Sequence, residues 1–177
     1  MSESNRDILV NETSQAAEQL KVLGNEAFSA KDFAKALDLF TQAIAFDNNN
    51  AKYFVNRSLC HASLGNWKES ALDARRAIQL DDKYIKAHCR LVKALIELSM
   101  LRDSRFALLT AIKDCGEHAD LKALEKSIQA LTGVPLRPKS TDFEILGELG
   151  EGNFSKVYKC KHKQTNVEFA IKVRLFF

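Results

Sequence analysis

Ala17-Glu-Gln-Leu-Lys21-Val-Leu-Gly24-Asn25-Glu-Ala-Phe28 opens a pattern that returns at Ala51 and again at Ile85. With Ala17 as position 1 of a 34-residue frame, position 8 is Gly24, Ser58 and Val92 in successive copies. Position 20 is Ala36, Ser70 and Ser104, position 24 is Phe40, Ala74 and Leu108, and position 27 is Ala43, Ala77 and Ala111. Small residues recur where two antiparallel helices must approach closely, and larger apolar ones recur where they fill the space between. Self-similarity at this period is the mark of a stacked repeat architecture. Val92 departs from the small residue at position 8 and implies a slightly wider helix pair in the third copy.

The breaks between helices fit the frame. Asp32-Phe33 follows a first helix of about 15 residues, ten or more being usual for a globular helix. Asp47-Asn-Asn-Asn50 is a polar turn whose side chains can bond their own backbone, and Gly65-Asn66 and Asp81-Asp82 repeat the chemistry. After the third copy, Leu121, Leu124, Ile128 and Leu131 recur at helical spacing with charges opposite. They predict a capping helix over about 117–131, which a solenoid needs on its last exposed face. The first 13 residues are polar and are expected to form a flexible N-terminus.

Period and small-residue positions together resemble three tetratricopeptide repeats, over about 17–50, 51–84 and 85–118. The resemblance implies an all-α domain over 14–132, three helix hairpins and a capping helix wound into a right-handed superhelix.

Composition bounds the function. The 177 residues are 46% apolar and 28% charged, enough for a sizeable core and against wholesale disorder. Residues 1–133 hold 18 basic and 18 acidic side chains, and residues 134–177 hold 8 and 5, so the net charge of +3 lies in the tail. A neutral main body argues against nucleic acid as a partner, because neutralising phosphates takes a basic stripe. No apolar run approaches 18 residues, which argues against a membrane partner. The start has no secretory pattern, and Cys60, Cys89, Cys115 and Cys160 form no CxxC, so reduced thiols in a cytoplasmic protein are expected. Cys60-His61 and His88-Cys89 could be drawn as a zinc site, but adjacent residues face different sides of a helix, and no metal is expected. Trp67, at the start of the second helix of repeat two, reads as core.

Five polar residues stand out inside the repeats. Lys21 and Asn25 are four apart and share a helix face, as do Lys86 and Arg90, and Asn56 stands between the pairs at position 6 of repeat two. Identity and spacing resemble the two-carboxylate clamp of the chaperone-adaptor tetratricopeptide domains. The strings Leu23-Gly-Asn-Glu-Ala-Phe28, Asn56-Arg-Ser-Leu59 and Tyr84-Ile-Lys-Ala87 resemble that subgroup too. What the resemblance implies is a protein-interaction module. Its partners would be the C-terminal tails, ending Glu-Glu-Val-Asp, of the seventy- and ninety-kilodalton cytosolic heat-shock chaperones, held without a cofactor. The chemistry is coherent, since lysines, an arginine and amides are rich in donors and a chain terminus ending in Asp offers two carboxylates. Lys21, Asn25 and Asn56 would take the main-chain carboxylate and the last side chain, and Lys86 and Arg90 the Asp side chain and upstream carbonyls.

Both prolines, Pro135 and Pro138, fall just after Gly133, and residues 133–141 read as a linker. Beyond it, three of the seven glycines crowd into 147–152, and β-branched and aromatic residues alternate with polar ones. Gly150-x-Gly152-x-x-Ser155-x-Val157, with Ala170-x-Lys172 downstream, resembles the opening of a protein kinase domain, with Ser155 in place of the third glycine. Residues 142–177 are then expected to be a short β-rich fragment of the kinase N-terminal lobe. The resemblance implies that Gly150, Gly152, Ser155, Val157, Ala170 and Lys172 would bind a nucleotide in a complete lobe, with ATP and magnesium as cofactors only there. The catalytic-loop and magnesium-binding motifs are missing from this chain, which by itself is not expected to transfer phosphate. The alternative reading is the N-terminal part of an ATP-dependent serine/threonine kinase with a tetratricopeptide targeting domain. Uncovered, with Val173 and Leu175–Phe177 exposed, the fragment is expected to be poorly ordered or to dock elsewhere.

Overall fold

The structure, a computed structural model, describes residues 3–133, 135–137, 140–152 and 155–174. The described chain runs through α1 (Glu3–Ser29), α2 (Phe33–Phe46), α3 (Ala51–Ser63), α4 (Trp67–Leu80), α5 (Ile85–Glu97), α6 (Leu101–Cys115) and α7 (Ala119–Thr132). A 3₁₀ turn (Ser140–Asp142) then leads to β1 (Phe143–Gly152), β2 (Ser155–His162) and β3 (Glu168–Arg174). Two compact units divide it, Met1–Leu124 and Glu125–Phe177.

In the first unit, α1 packs on α2, α3 on α4 and α5 on α6, which makes three hairpins, and α2 meets α3 and α4 meets α5 across the seams. The repeat frame is the packing frame. All twelve residues at positions 8, 20, 24 and 27 are buried, Gly24 and Val92 included. In repeat one, Gly24 lies so close to the Phe40 ring that an added Cβ would stand 2.7 Å from it. In repeat two both residues are smaller or polar, and Ser58 Oγ donates to the Ser70 carbonyl at 2.8 Å and lies 3.0 Å from Ser70 Oγ. A hydroxyl pair thus does the work of apolar fill without leaving a buried donor unmet.

Each hairpin turns by the same device. Position 15 has left-handed backbone in all three copies, at Lys31 (φ 61°), Gly65 (φ 79°) and Ser99 (φ 58°). The N–H of the next residue reaches back to position 11, in Asp32 to Ala27 at 2.9 Å, Asn66 to His61 at 2.8 Å and Met100 to Leu95 at 2.9 Å. This is a Schellman closure of the first helix of each pair. The seams use aspartate. Asp47 Oδ1 accepts from the Asn49 N–H and Asp81 Oδ1 from the Lys83 N–H, while Asn50 Oδ1 caps α3 through the Lys52 N–H.

Three expectations change. The first helix reaches back to Glu3, through a segment expected to be a flexible N-terminus, because no glycine or proline interrupts residues 3–23. Trp67 is half-buried rather than core, since it opens α4 where the helix is covered on one side only. Leu131 is 57% exposed, although Leu121, Leu124 and Ile128 on the same stretch are buried. The division between units falls inside α7, ahead of the proline-marked linker at 133–141.

In the second unit, β1, β2 and β3 form an antiparallel meander in sequence order. Two register shifts interrupt β1, between Ile145 and Gly147 and between Glu148 and Gly150. Such bulges bend a strand and raise its twist. Phe143 packs edge-on against His162 and Phe169, and Cys160 and His162 are buried. Ile145, Leu146, Leu149, Val167 and Val173 are exposed, and Leu175–Phe177 lie outside the described residues.

Candidate functional site

The first helices of the three pairs stand side by side, α1 against α3 and α3 against α5. Lys21 and Asn25 lie on α1, Asn56 on α3, and Lys86 and Arg90 on α5. The five therefore fall on one row of adjacent helices. Across the first seam they touch, with Asn56 Nδ2 donating to Asn25 Oδ1 at 3.2 Å. That bond uses one amide donor and one amide acceptor, so Asn25 keeps both N–H donors for another group. Lys86 and Arg90 make no hydrogen bond to the other three, nor an ion pair with a carboxylate, among the described residues. Lys86 is exposed and Arg90 half-buried, and burial pulls the Arg90 guanidinium below its ordinary value. Burial, with the Asp81 charge adding to it, pushes the Tyr84 hydroxyl at the start of the same helix above its ordinary value, against the opposing Arg90 charge.

Two groups in this region, the acceptor Glu18 and the donor Tyr53, were not singled out in the sequence. Glu18 pairs with Lys21 one turn on, and Tyr53 Oη, from α3, lies 3.5 Å from Glu18 Oε2. The Lys21 ammonium holds the Glu18 carboxyl below the usual carboxylate range, with Lys52 adding to it. The i, i+3 spacing of Glu18 and Lys21 was the available signal. The approach of Tyr53 depends on how α3 stacks on α1.

Other polar groups near the row are structural. Arg57 of α3 holds Asp73 of α4 through two hydrogen bonds of 2.8 and 2.7 Å and reaches Thr41 of α2 at 3.4 Å, which ties repeats one and two together. Cys60 sits in a core with Ala27, Ala36 and Phe40, and burial pushes its thiol up to about 12. His88 Nε2 lies 2.7 Å from the Asp82 carbonyl oxygen. Among the described residues no group of three or more His, Cys, Asp or Glu side chains could hold a metal. None of their helices is long and apolar enough to cross a membrane.

In the meander, Gly150 pairs with Val157 and Val157 with Lys172, so these three stand in one row across the sheet. Gly152 pairs with Ser155 at the hairpin tip, whose two intervening residues lie outside the described ones, and Ala170 pairs with Lys159. The Lys172 side chain is exposed.

No protein-family model matches the chain. It is 38% identical over 114 residues to the heat shock protein sti1 homolog of Schizosaccharomyces pombe, a match covering 64% of this chain and 19% of that protein. It spans less than a third of the length of the first curated relatives it matches. Among solved structures, the Arabidopsis OM64 TPR domain superposes with a TM-score of 0.63 at 26% identity, covering 67% of this chain and 98% of that one. The helical part has the tetratricopeptide fold. A further tetratricopeptide structure, the second TPR of Spaghetti (RPAP3) bound to the HSP90 peptide SRMEEVD, superposes at 0.55 with 28% identity, over 58% of this chain and 95% of that one. The tetratricopeptide domain here is thus similar to those of heat-shock co-chaperones.

Proposed function

We propose that the tetratricopeptide domain is a protein-interaction module that grips the free C-terminal end, Glu-Glu-Val-Asp, of seventy- and ninety-kilodalton heat-shock chaperones in the cytoplasm. Lys21, Asn25 and Asn56 take the main-chain carboxylate and last side chain, and Lys86 and Arg90 the Asp side chain and upstream carbonyls. The observation that carries the reading is the row itself. Asn25 and Asn56 are already joined across the seam, and two cations on the neighbouring helix have no internal anion among the described residues. The relative bound to a peptide ending in the same four residues supports it. The binding needs no metal or cofactor, because every contact is a charge-assisted hydrogen bond worth about 1.5–3 kcal/mol. Titration with a peptide ending Glu-Glu-Val-Asp tests it. Lys86→Ala or Arg90→Ala should weaken binding roughly ten- to a hundredfold, and amidating the terminal carboxylate should abolish it. Unchanged affinity after both edits would rule the clamp out.

A second reading concerns the meander, which fits the first strands of a protein kinase lobe. It is favoured by the row Gly150, Val157 and Lys172, which puts an exposed lysine beside a glycine-rich hairpin. Gly152, Ser155 and Ala170 complete the motif, and ATP with magnesium would bind only in a complete lobe. In this reading the parent protein is a serine/threonine kinase, with the repeats recruiting a chaperone. A reading frame that continues past Phe177 into catalytic-loop and magnesium-binding motifs supports it, and a stop codon there removes it.

A further inference from the structure

One of the three clamp cations already holds an anion. The Lys21 ammonium pairs with Glu18 Oε1 one turn earlier on α1, whereas Lys86 and Arg90 have no carboxylate partner among the described residues. Most of the Lys21 side chain is covered, at 19% exposure, which leaves little room for a second anion beside the first. We propose that Glu18 is a resident competitor, whose carboxylate occupies the place on Lys21 that the carboxylate of an incoming chain end takes, so that binding exchanges one anion for another. The inference rests on the clamp reading of the same groove.

The surroundings make the exchange feasible. Glu18 has a second place to go, because Tyr53 Oη already approaches its other oxygen at 3.5 Å and the Lys52 charge also favours its ionised form. Its carboxyl is held below the ordinary range, chiefly by Lys21, so at neutral pH it is charged and competes in full. Two carboxylates at one ammonium repel each other, so a tail carboxylate arriving at Lys21 drives Glu18 towards Tyr53 and Lys52.

Calorimetric titration with a peptide ending Glu-Glu-Val-Asp, at fixed salt, tests the exchange in wild type, Glu18→Gln, Lys21→Ala and the double variant. Asp38→Asn, which removes the same charge from α2, controls for net charge. Gln keeps the acceptor for Tyr53 and removes the charge on Lys21. Glu18→Gln should bind roughly two- to tenfold tighter, the range of a partly exposed ion pair plus the relieved repulsion. Asp38→Asn should stay within about twofold of wild type, and the Glu18→Gln gain should vanish in the Lys21→Ala background. Binding that appears only with Glu18→Gln would support the exchange most strongly. Wild-type binding with no gain or a loss in Glu18→Gln would overturn the competitor and leave the clamp standing. An equal gain in Asp38→Asn, or one that survives Lys21→Ala, would also overturn it. Failure of both wild type and Glu18→Gln to bind would overturn the clamp, and the competitor with it.

Discussion

An added methyl group at Gly24 would stand 2.7 and 2.9 Å from two carbons of the Phe40 ring, and that ring is 1% exposed and has nowhere to move. Two effects of Gly24→Ala oppose each other. Alanine gains about 1 kcal/mol of helix propensity over glycine, and overpacking a tight core costs about 1–3 kcal/mol. The contact is under the distance any real Cβ tolerates, so overpacking wins. Gly24→Ala should destabilise the domain by up to about 2 kcal/mol, measured by urea denaturation. Adding Phe40→Leu should recover part of the loss, because it frees the space the methyl needs. A more stable single variant would mean that α1 and α2 do not close as described. This pairing was legible in sequence, because position 8 is small where position 24 is large. Glu18 was not, since a glutamate one turn before a lysine on a solvated helix is ordinary. The approach of Tyr53 from another repeat ties it to the neighbouring helix α3, which no local spacing foretells.

At the scale of the hairpin, position 15 is where the three repeats differ in local fit. Gly65 adopts the left-handed conformation without penalty, but Lys31 and Ser99 carry a Cβ in it, against a preference of about 1–2 kcal/mol. Part of that returns when glycine is introduced, because glycine also gives the unfolded chain more freedom. Ser99→Gly should therefore stabilise the domain by about 0.5–1 kcal/mol, and Gly65→Ala should destabilise it by a similar amount. Paired denaturation curves would check both, and a shift of the same sign for the two would refute the shared geometry. The chain breaks at Asp32, Asn66 and Met100 could be placed from composition for the first two. The third could not, because Ser99-Met100 has no turn chemistry and the repeat frame alone puts it there. The reach of α1 to Glu3 escaped the sequence reading for the opposite reason. A polar stretch without a breaker has no signal for where a helix starts, and its apolar pattern is too weak to decide.

At the scale of the whole molecule, the five residues of the proposed clamp and the strands belong to different units. Lys21, Asn25, Asn56, Lys86 and Arg90 lie on α1, α3 and α5, within the first unit, and the meander lies in the second. Deleting residues 142–177 should leave affinity for a chaperone-tail peptide within about twofold of wild type, well under the tenfold that corresponds to 1.4 kcal/mol. It should also improve solubility, because it removes the exposed Ile145, Leu146, Leu149, Val167 and Val173. Titration and light scattering on the two chains would check this, and a lost affinity would place part of the site in the tail. The three helix hairpins were legible from the period, and the change from helix to strand from the glycines and prolines that precede it. The boundary within α7 was not, because helical spacing persists through Leu124 and Ile128 whichever unit each side chain belongs to. The bond from Asn56 to Asn25 joins residues 31 positions apart, on the first helices of neighbouring hairpins. A solenoid is held together hairpin to hairpin, and this amide pair spans the joint between the first two. Repeats one and two are thereby latched by a bond between their own side chains as well as by the apolar packing of Ala17, Ala43 and Tyr53.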